Sequence, residues 1–402
     1  MSTTIIGAVA SHRGLTFADR QVKLKHPVRM CPRSRAVPVR CSVPQAPLSS
    51  KDMEEGRGIS AFGLHLQTES LTWPLRFFSG ATGVSGFGPR STCDEVAEGQ
   101  ELERRVIMIT GANSGIGREA ARSLVGANAH VIAVARDVRK LDSLLEDVRT
   151  LPGRITPLQC NLDDPASIER LVKYFLKLDM PLHCLLNNAG VAFTKANAKA
   201  SNGVELQFAT NHMGTYLLTK GLLPKLKATG APTKMARVIN VSSCAHANGV
   251  VPTLSQVTGA EKVMASYGST SEDPLVAMNL YSNTKLCNLL HSRWLNRILE
   301  TEGEFVRAYS VHPGIIVGSD IWRHDALIRT SMKFVEAFNK SVQQGASTLV
   351  WAVTAADLEG VGGCYLVDNN VSVPHPKGCD MKEADRLVAM SEELIEMFSL
   401  KS

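Results

Sequence analysis

Tyr281 and Lys285, in the run Tyr281-Ser282-Asn283-Thr284-Lys285, are the pair whose types and spacing best suit chemistry. Four apart on a helix they share one face, so the lysine ammonium can sit beside the phenol and favour its ionised form. An unperturbed tyrosine titrates near pH ~10, and bringing it to about 7 takes on the order of 4 kcal/mol of preferential phenolate stabilisation. Such a group is a usable acid/base. The same spacing also occurs on solvated helices that do no chemistry, so the pair needs company. A second stretch supplies it: in Val106 to Gly117, VIMITGANSGIG, an apolar strand runs into a turn with glycines at 111, 115 and 117, followed by the helix-forming run Arg118 to Leu124. Strand, glycine turn and helix make a phosphate cradle, with helix N–H groups turned toward the anion.

Cofactor choice rests on Arg136, which follows the next apolar run, His130 to Ala135, in AVARD. An acidic residue at that strand end would take the ribose 2′-OH of NAD. Ala135 cannot, whereas the Arg136 fork suits a 2′-phosphate, so NADP(H) is the expected cofactor. The alternative is a surface arginine facing solvent.

The elements that must position these groups alternate from Arg105 onward. Strands are expected at 106–109, 130–135, 155–162, 183–187, 237–242, 306–311 and 364–367, and helices at 118–124, 137–150, 168–178, 202–223, 281–299 and 345–355. Right-handed crossovers between them build an α/β, Rossmann-type doubly wound parallel sheet of about seven strands, in three layers and one domain over residues 104–372. Residues 373–402 carry an amphipathic helix with Leu387, Met390, Leu394 and Met397 on one face. From Lys377 onward there are four basic and six acidic side chains. Docking on the domain or on a partner subunit fits that balance better than a calmodulin or anionic-membrane target.

The formal charge of +6 divides unevenly. Residues 1–50 hold eight Lys/Arg and one acidic residue, Asp19, leaving 36 basic against 37 acidic side chains in the remainder. A near-neutral body argues against a nucleic-acid surface. The first 50 residues, with nine Ser/Thr and five Pro and no long apolar run, have the composition of an organelle transit peptide or of an ordinary disordered tail. Val39-Arg40-Cys41-Ser42 resembles a plastid processing site, with the mitochondrion as the alternative. In the arm of residues 51–103, the stretch Leu71 to Phe87 is too broken to span a bilayer. Its Trp73, Phe77, Phe78 and Phe87 either pack on the body or touch a membrane surface. The nine cysteines show no paired or zinc-like spacing, so no metal site is expected and the thiols read as structural and reduced.

TGANSGIG, NNAG, NHMG, VSS, YSNTK and HPG, in this order, resemble the short-chain dehydrogenase/reductase superfamily over about residues 104–370. LQFATNHMG, VSSCAH, YSNTKLCN, SVQQG and LEGVGGCY are similar to the branch holding retinol dehydrogenases and the catalytic domain of the WW-domain oxidoreductase. The upstream segment SGFGPRSTCDEVAEG is similar to that of the plastid inner-envelope, translocon-associated members. The resemblance implies that Tyr281 is the proton donor or acceptor, Lys285 its electrostatic partner and a ribose ligand, Ser243 the hydroxyl that orients a substrate carbonyl, and Asn211 the holder of a water linking Lys285 to solvent. It implies cofactor contacts at Gly111, Asn113, Ser114, Gly115, Ile116 and Gly117, at Arg136 and Asn161, at Asn188, Ala189 and Gly190, at Tyr281 and Lys285, and at Pro313 and Gly314.

Three departures from the family pattern stand out. Asn161 replaces an aspartate near the adenine, and its amide oxygen can still accept from the adenine amine. The threonine expected after HPG is absent, which makes Ser319 the substitute. Ser243 and Tyr281 are separated by 37 residues, an insertion whose Gly, Ser and Thr content suits a lid. His212 and His246 read as packed or hydrogen-bonded histidines. The leading functional expectation is an NADP(H)-dependent oxidoreductase interconverting a carbonyl and an alcohol on an apolar substrate. The other is a redox-sensing scaffold of a plastid envelope complex that binds NADP(H) with little turnover. Peripheral membrane contact and homo-oligomerisation stay open.

Overall fold

The computed structural model describes residues 80–259, 273–316 and 339–399. Residues 1–50, Trp73, Phe77, Phe78 and Ser319 lie outside the described residues. The strands are β1 (Val106–Thr110), β2 (His130–Ala135), β3 (Arg154–Gln159), β4 (Cys184–Asn187), β5 (Ala236–Val241), β6 (Val306–His312), β7 (Tyr365–Val367) and β8 (Asn370–Ser372). They form one sheet in the order β3-β2-β1-β4-β5-β6-β7-β8. The first seven are parallel, as expected. The eighth, β8, pairs antiparallel with β7 and escaped the sequence reading because three residues carry no readable alternation.

Among the described residues the α-helices of five or more residues are α1 (Cys93–Ala97), α2 (Gly115–Gly126), α3 (Asp142–Asp147), α4 (Pro165–Lys177), α5 (Gly214–Thr229), α6 (Leu254–Thr258), α7 (Pro274–Thr301), α8 (Val342–Thr354) and α9 (Met381–Ser399). Alternate residues of each strand feed opposite faces. Ile107 and Ile109 of β1 pack with Leu124 of α2 and Leu349 of α8, while Val106 and Met108 pack with Leu171 of α4, Leu222 of α5 and Leu299 of α7. Both faces of β1 are covered, which is why Val106 to Ile109 are all apolar. Phe87 of the arm packs against the α2/α8 side, and α9 packs Leu387, Met390 and Leu394 on Leu286 and Leu290 of α7.

Several element bounds moved. The expected helix 137–150 is a 3₁₀ turn, Val138–Leu141, followed by the short α3. The long helix expected at 202–223 is interrupted by a π-helical turn, Ala209–Met213, before α5 runs on to Thr229. Helix α7 starts seven residues before the expected position, because Asp273 caps it by accepting from Leu275 N–H and Pro274 occupies its first turn. Tyr281 therefore sits two turns inside a helix rather than at its frayed start.

Candidate active site

The chain order reverses between β1 and β4, on either side of which the crossovers run in opposite directions, and a cleft of about 660 Å³ opens over the carboxyl ends of the strands there. Its wall comes from Gly111, Asn113, Ser114, Gly115 and Ile116 of the β1 turn, Arg136 and Lys140 after β2, Asn161 after β3, Asn188 to Phe193 after β4, Ser243 after β5, Tyr281 and Lys285 on α7, and Pro313 and Gly314 after β6. Strand order places the β2 and β3 contributions at one end and those of β5, β6 and α7 at the other, with the glycine turn between.

Close packing explains the glycine turn. Thr110 Oγ1 accepts from the N–H groups of Asn188 and Ala189, both at 3.0 Å, and the Asn188 amide donates to Thr110 O at 2.9 Å. These bonds lash the end of β4 to the end of β1. A Cβ on Gly117 would collide with the Asn188 amide and lie 2.5 Å from Gly111 O, so Gly117 serves this lashing as well as helix-to-strand packing. Gly115 has φ +55° and nothing within 4 Å of where a Cβ would be, so the first turn of α2 faces open space. Ser114, the N-cap of α2, makes no side-chain capping bond. A helix N-terminus presented to open space in this way fits a pyrophosphate.

At the β2 end, Arg136 is exposed and its neighbour Arg139 is tied to Asp137 at 3.0 Å. Among the described residues neither Arg136 nor Lys140 has an ion-pair partner. Lys140 lines the cleft without standing out in the sequence, where its only signal is a further cation four residues after Arg136. The Asn161 side-chain nitrogen donates to Asp163, which leaves the Asn161 oxygen to accept.

Ser243 and Ser242 have separate tasks. The buried Ser242 hydroxyl donates to Lys285 O at 2.8 Å and fastens β5 to α7. Ser243 caps the 3₁₀ turn Cys244–Asn248, its hydroxyl accepting from Ala245 N at 3.2 Å on the cleft wall. Lys285 is buried, donates to Val241 O at 2.9 Å and has its Nζ 5.3 Å from the centre of the Tyr281 ring. Burial pulls Lys285 down to about 8. Burial pushes the Tyr281 phenol well above the ordinary tyrosine value, the Cys244 thiol adds to that, and a hydrogen bond with Ser243 opposes it. The spacing argument, which has Lys285 lowering the phenol, is outweighed in the protein alone by the loss of solvent.

Asn211 lies in the π-helical turn, fully buried. Its amide donates to Val191 O at 2.8 Å and Thr284 Oγ1 at 3.1 Å, and its oxygen accepts from Val191 N at 2.8 Å. A Cβ on Gly190 would meet Asn211 Oδ1 at 3.2 Å and Lys285 Nζ at 3.7 Å, so the two polar groups flank one point on the cleft floor. His212 is a buried, packed residue bonded to Ser391 of α9 at 2.9 Å. His246 is likewise fully buried, with both ring nitrogens engaged. None of the seven cysteines among the described residues is in a disulfide, and no cluster of metal-ligand type occurs among those residues. No described helix is long and apolar enough to cross a membrane.

Comparison with known proteins agrees with this architecture. Residues 105–257 match the short chain dehydrogenase family. The chain is 36% identical over 322 residues to the short-chain dehydrogenase TIC 32 B, chloroplastic, of Brassica napus, covering 79% of this chain and 97% of that protein. It is 35% identical to retinol dehydrogenase 12 of Mus musculus, over 73% of this chain and 87% of that one, and 34% identical to the WW domain-containing oxidoreductase of Gallus gallus, over 76% and 71%. Among solved structures, a protein from Mycobacterium paratuberculosis superposes with a TM-score of 0.57 at 28% identity, covering 75% of this chain and 97% of that one. With a nucleotide cradle, a Ser, Tyr and Lys set on one cleft, and a chloroplastic relative matched over 97% of its length, the chain belongs to the short-chain dehydrogenase/reductase family of oxidoreductases, which use nicotinamide cofactors.

Proposed function

We propose that the protein is an NADP(H)-dependent oxidoreductase that interconverts a carbonyl and an alcohol on an apolar substrate. The observation that carries this reading is the convergence of Ser243, Tyr281 and Lys285, from two distant parts of the chain, on the same cleft as the glycine turn. The α2 N-terminus with Gly111, Asn113, Ser114, Gly115 and Ile116 would hold the pyrophosphate, with Gly117 keeping the helix close to the strand rather than lining the cleft; Arg136 and Lys140 would hold the 2′-phosphate, and Asn161 would accept from the adenine. Asn188, Ala189, Gly190, Pro313 and Gly314 would border the nicotinamide half. When bound, the nicotinamide supplies or accepts the hydride at its C4.

Each residue of the chemical set has one task. Tyr281, kept protonated by burial, donates its proton to the carbonyl oxygen during reduction and takes it back in the reverse direction. Ser243 donates a hydrogen bond to the same oxygen and orients it. Lys285 holds the nicotinamide ribose and offsets negative charge as it grows on the phenol oxygen. Among the described residues Asn211 Oδ1 accepts one bond, from Val191 N, and its second lone pair suits a water between it and Lys285, a route for protons from solvent.

An apolar substrate is supported by Ala192, Phe193 and Met278, which pack with Tyr281, and by Leu206, Ile315 and Ile316 elsewhere on the cleft wall. Steady oxidation of NADPH with retinal, steroid and lipid aldehydes tests the reading. Tight NADPH binding with no turnover across that panel replaces it with the redox-sensing scaffold.

The chloroplastic relatives and the basic, hydroxyl-rich first 50 residues together support import into a plastid, with processing near Ser42. Terminal sequencing of protein from its native cells tests this, and an intact Met1 overturns it.

A further inference from the structure

We infer that the C-terminal segment holds the Ser243 wall of the cleft in place through His246, which acts as a positioning residue. This rests on the oxidoreductase reading for its effect on turnover, but the link itself is a matter of geometry. His246 Nδ1 lies 2.6 Å from Ser243 O, an acceptor only, so Nδ1 carries the proton and donates. His246 Nε2 lies 3.1 Å from His375 N, a donor only, so Nε2 carries none and accepts. Two backbone groups thus select one neutral tautomer, and the ring becomes a strut between Ser243 and the segment after β8.

The strut is braced and repeated. The Tyr365 ring of β7 meets the His246 ring edge-on, with centroids 5.0 Å apart. Lys377 Nζ donates to Gly249 O at 3.0 Å, and Arg386 donates to Val251 O at 2.7 Å and Pro252 O at 3.1 Å. Residues 375–386 therefore grip the chain from 246 to 252 at several carbonyls, and His246 is the grip that reaches Ser243. The grip extends to the other chemical groups: α9 touches the π-helical turn that carries Asn211, through Ser391 and His212, and lies along α7, which carries Tyr281 and Lys285. A C-terminal helix that reads in the sequence only as a docked amphipathic segment is thereby coupled to the orientation of a substrate-binding hydroxyl.

The backbone at His375 allows a clean test. Its φ of −55° and ψ of 145° are values a proline adopts, so His375→Pro removes the N–H donor without forcing a new conformation. His375→Ala keeps the donor and removes the imidazole together with the bond it accepts from Lys377 N at 3.3 Å, a loss the proline variant shares, so the two differ in the N–H. In the full-length protein, His375→Pro is expected to lower kcat about tenfold at an NADPH affinity within twofold of wild type, since one hydrogen bond that orients a reacting group is lost. His375→Ala is expected to stay within about twofold of wild type on both measures. Amide hydrogen exchange over residues 243–248 should rise several-fold in His375→Pro while that of β1 and α2 stays unchanged. The exchange measurement does not depend on turnover, so an inactive wild-type protein with the exchange difference present would refute the oxidoreductase reading and leave the strut standing. Equal exchange in the proline and alanine variants, or equal loss of kcat in both, overturns the strut.

Discussion

Lys285 Nζ and the Tyr281 ring lie 5.3 Å apart with the lysine bonded to Val241 O, the last residue of β5, so one side chain ties the acid/base helix to the sheet. Tyr281→Phe keeps the ring and its packing and removes the proton. Turnover is expected to fall by at least ~100-fold with NADPH affinity nearly unchanged. A phenylalanine variant with wild-type turnover would overturn the mechanism.

Lys285→Ala should behave differently, weakening NADPH binding as well as turnover. Because burial brings Lys285 down to about 8, the ammonium is present below that pH and lost above it. NADPH affinity of the wild type should therefore weaken as the pH rises through about 8, and the alanine variant should lack that inflection. Fluorescence titration of NADPH across pH 6.5 to 9.5 reads both.

Arg136 and Lys140 both line the β2 end of the cleft. Arg136→Asp is expected to cost NADP binding about 2 to 4 kcal/mol while giving the NAD ribose an acceptor. Lys140→Ala should cost NADP alone a smaller amount, about 1 kcal/mol. Retention of full NADP affinity by Arg136→Asp would mean that the guanidinium serves solvent rather than the cofactor.

Gly117→Ala is the sharpest test of the lashing between β1 and β4. The added methyl must push the Asn188 amide off Thr110 O, with an expected cost of about 2 to 3 kcal/mol of stability and a marked loss of NADPH binding. The same change at Gly126, whose nearest neighbour is Leu151 at 4.0 Å, should be close to neutral or mildly stabilising in thermal melts.

Glu205 supplies a pH dependence with a definite sign. It is 2% exposed, its carboxylate accepts from Gln207 N and Phe208 N at 2.8 Å, and burial nevertheless pushes it from 4.5 to about 7. Between those values the folded protein holds the proton and the unfolded chain has lost it, so this group's contribution to stability falls as the pH rises from about 4.5 to 7. The melting temperature of Glu205→Gln minus that of wild type should accordingly be more positive at pH 8 than at pH 5, and a difference independent of pH would remove Glu205 from the account.

The sequence by itself determined the alternation that builds the parallel sheet, the glycine turn, and the sharing of one helix face by Tyr281 and Lys285, because each depends on local spacing of 2 or 3.6 residues and on backbone conformations that only glycine takes readily. It also carried the family, since the motifs sit at strand ends whose order the fold dictates. Tertiary structure decided what spacing cannot express. Helix α7 gains two turns before Tyr281 from a cap at Asp273; Asn211 spends its amide on Val191 and Thr284; Lys140 joins Arg136; and a carboxyl-terminal backbone N–H sets the tautomer of His246. The directions in which Tyr281 and Lys285 shift belong to the same class. Two side chains four apart attract in any helix, but how far each is removed from water depends on strands and helices more than thirty residues away, and in this fold that burial outweighs the attraction.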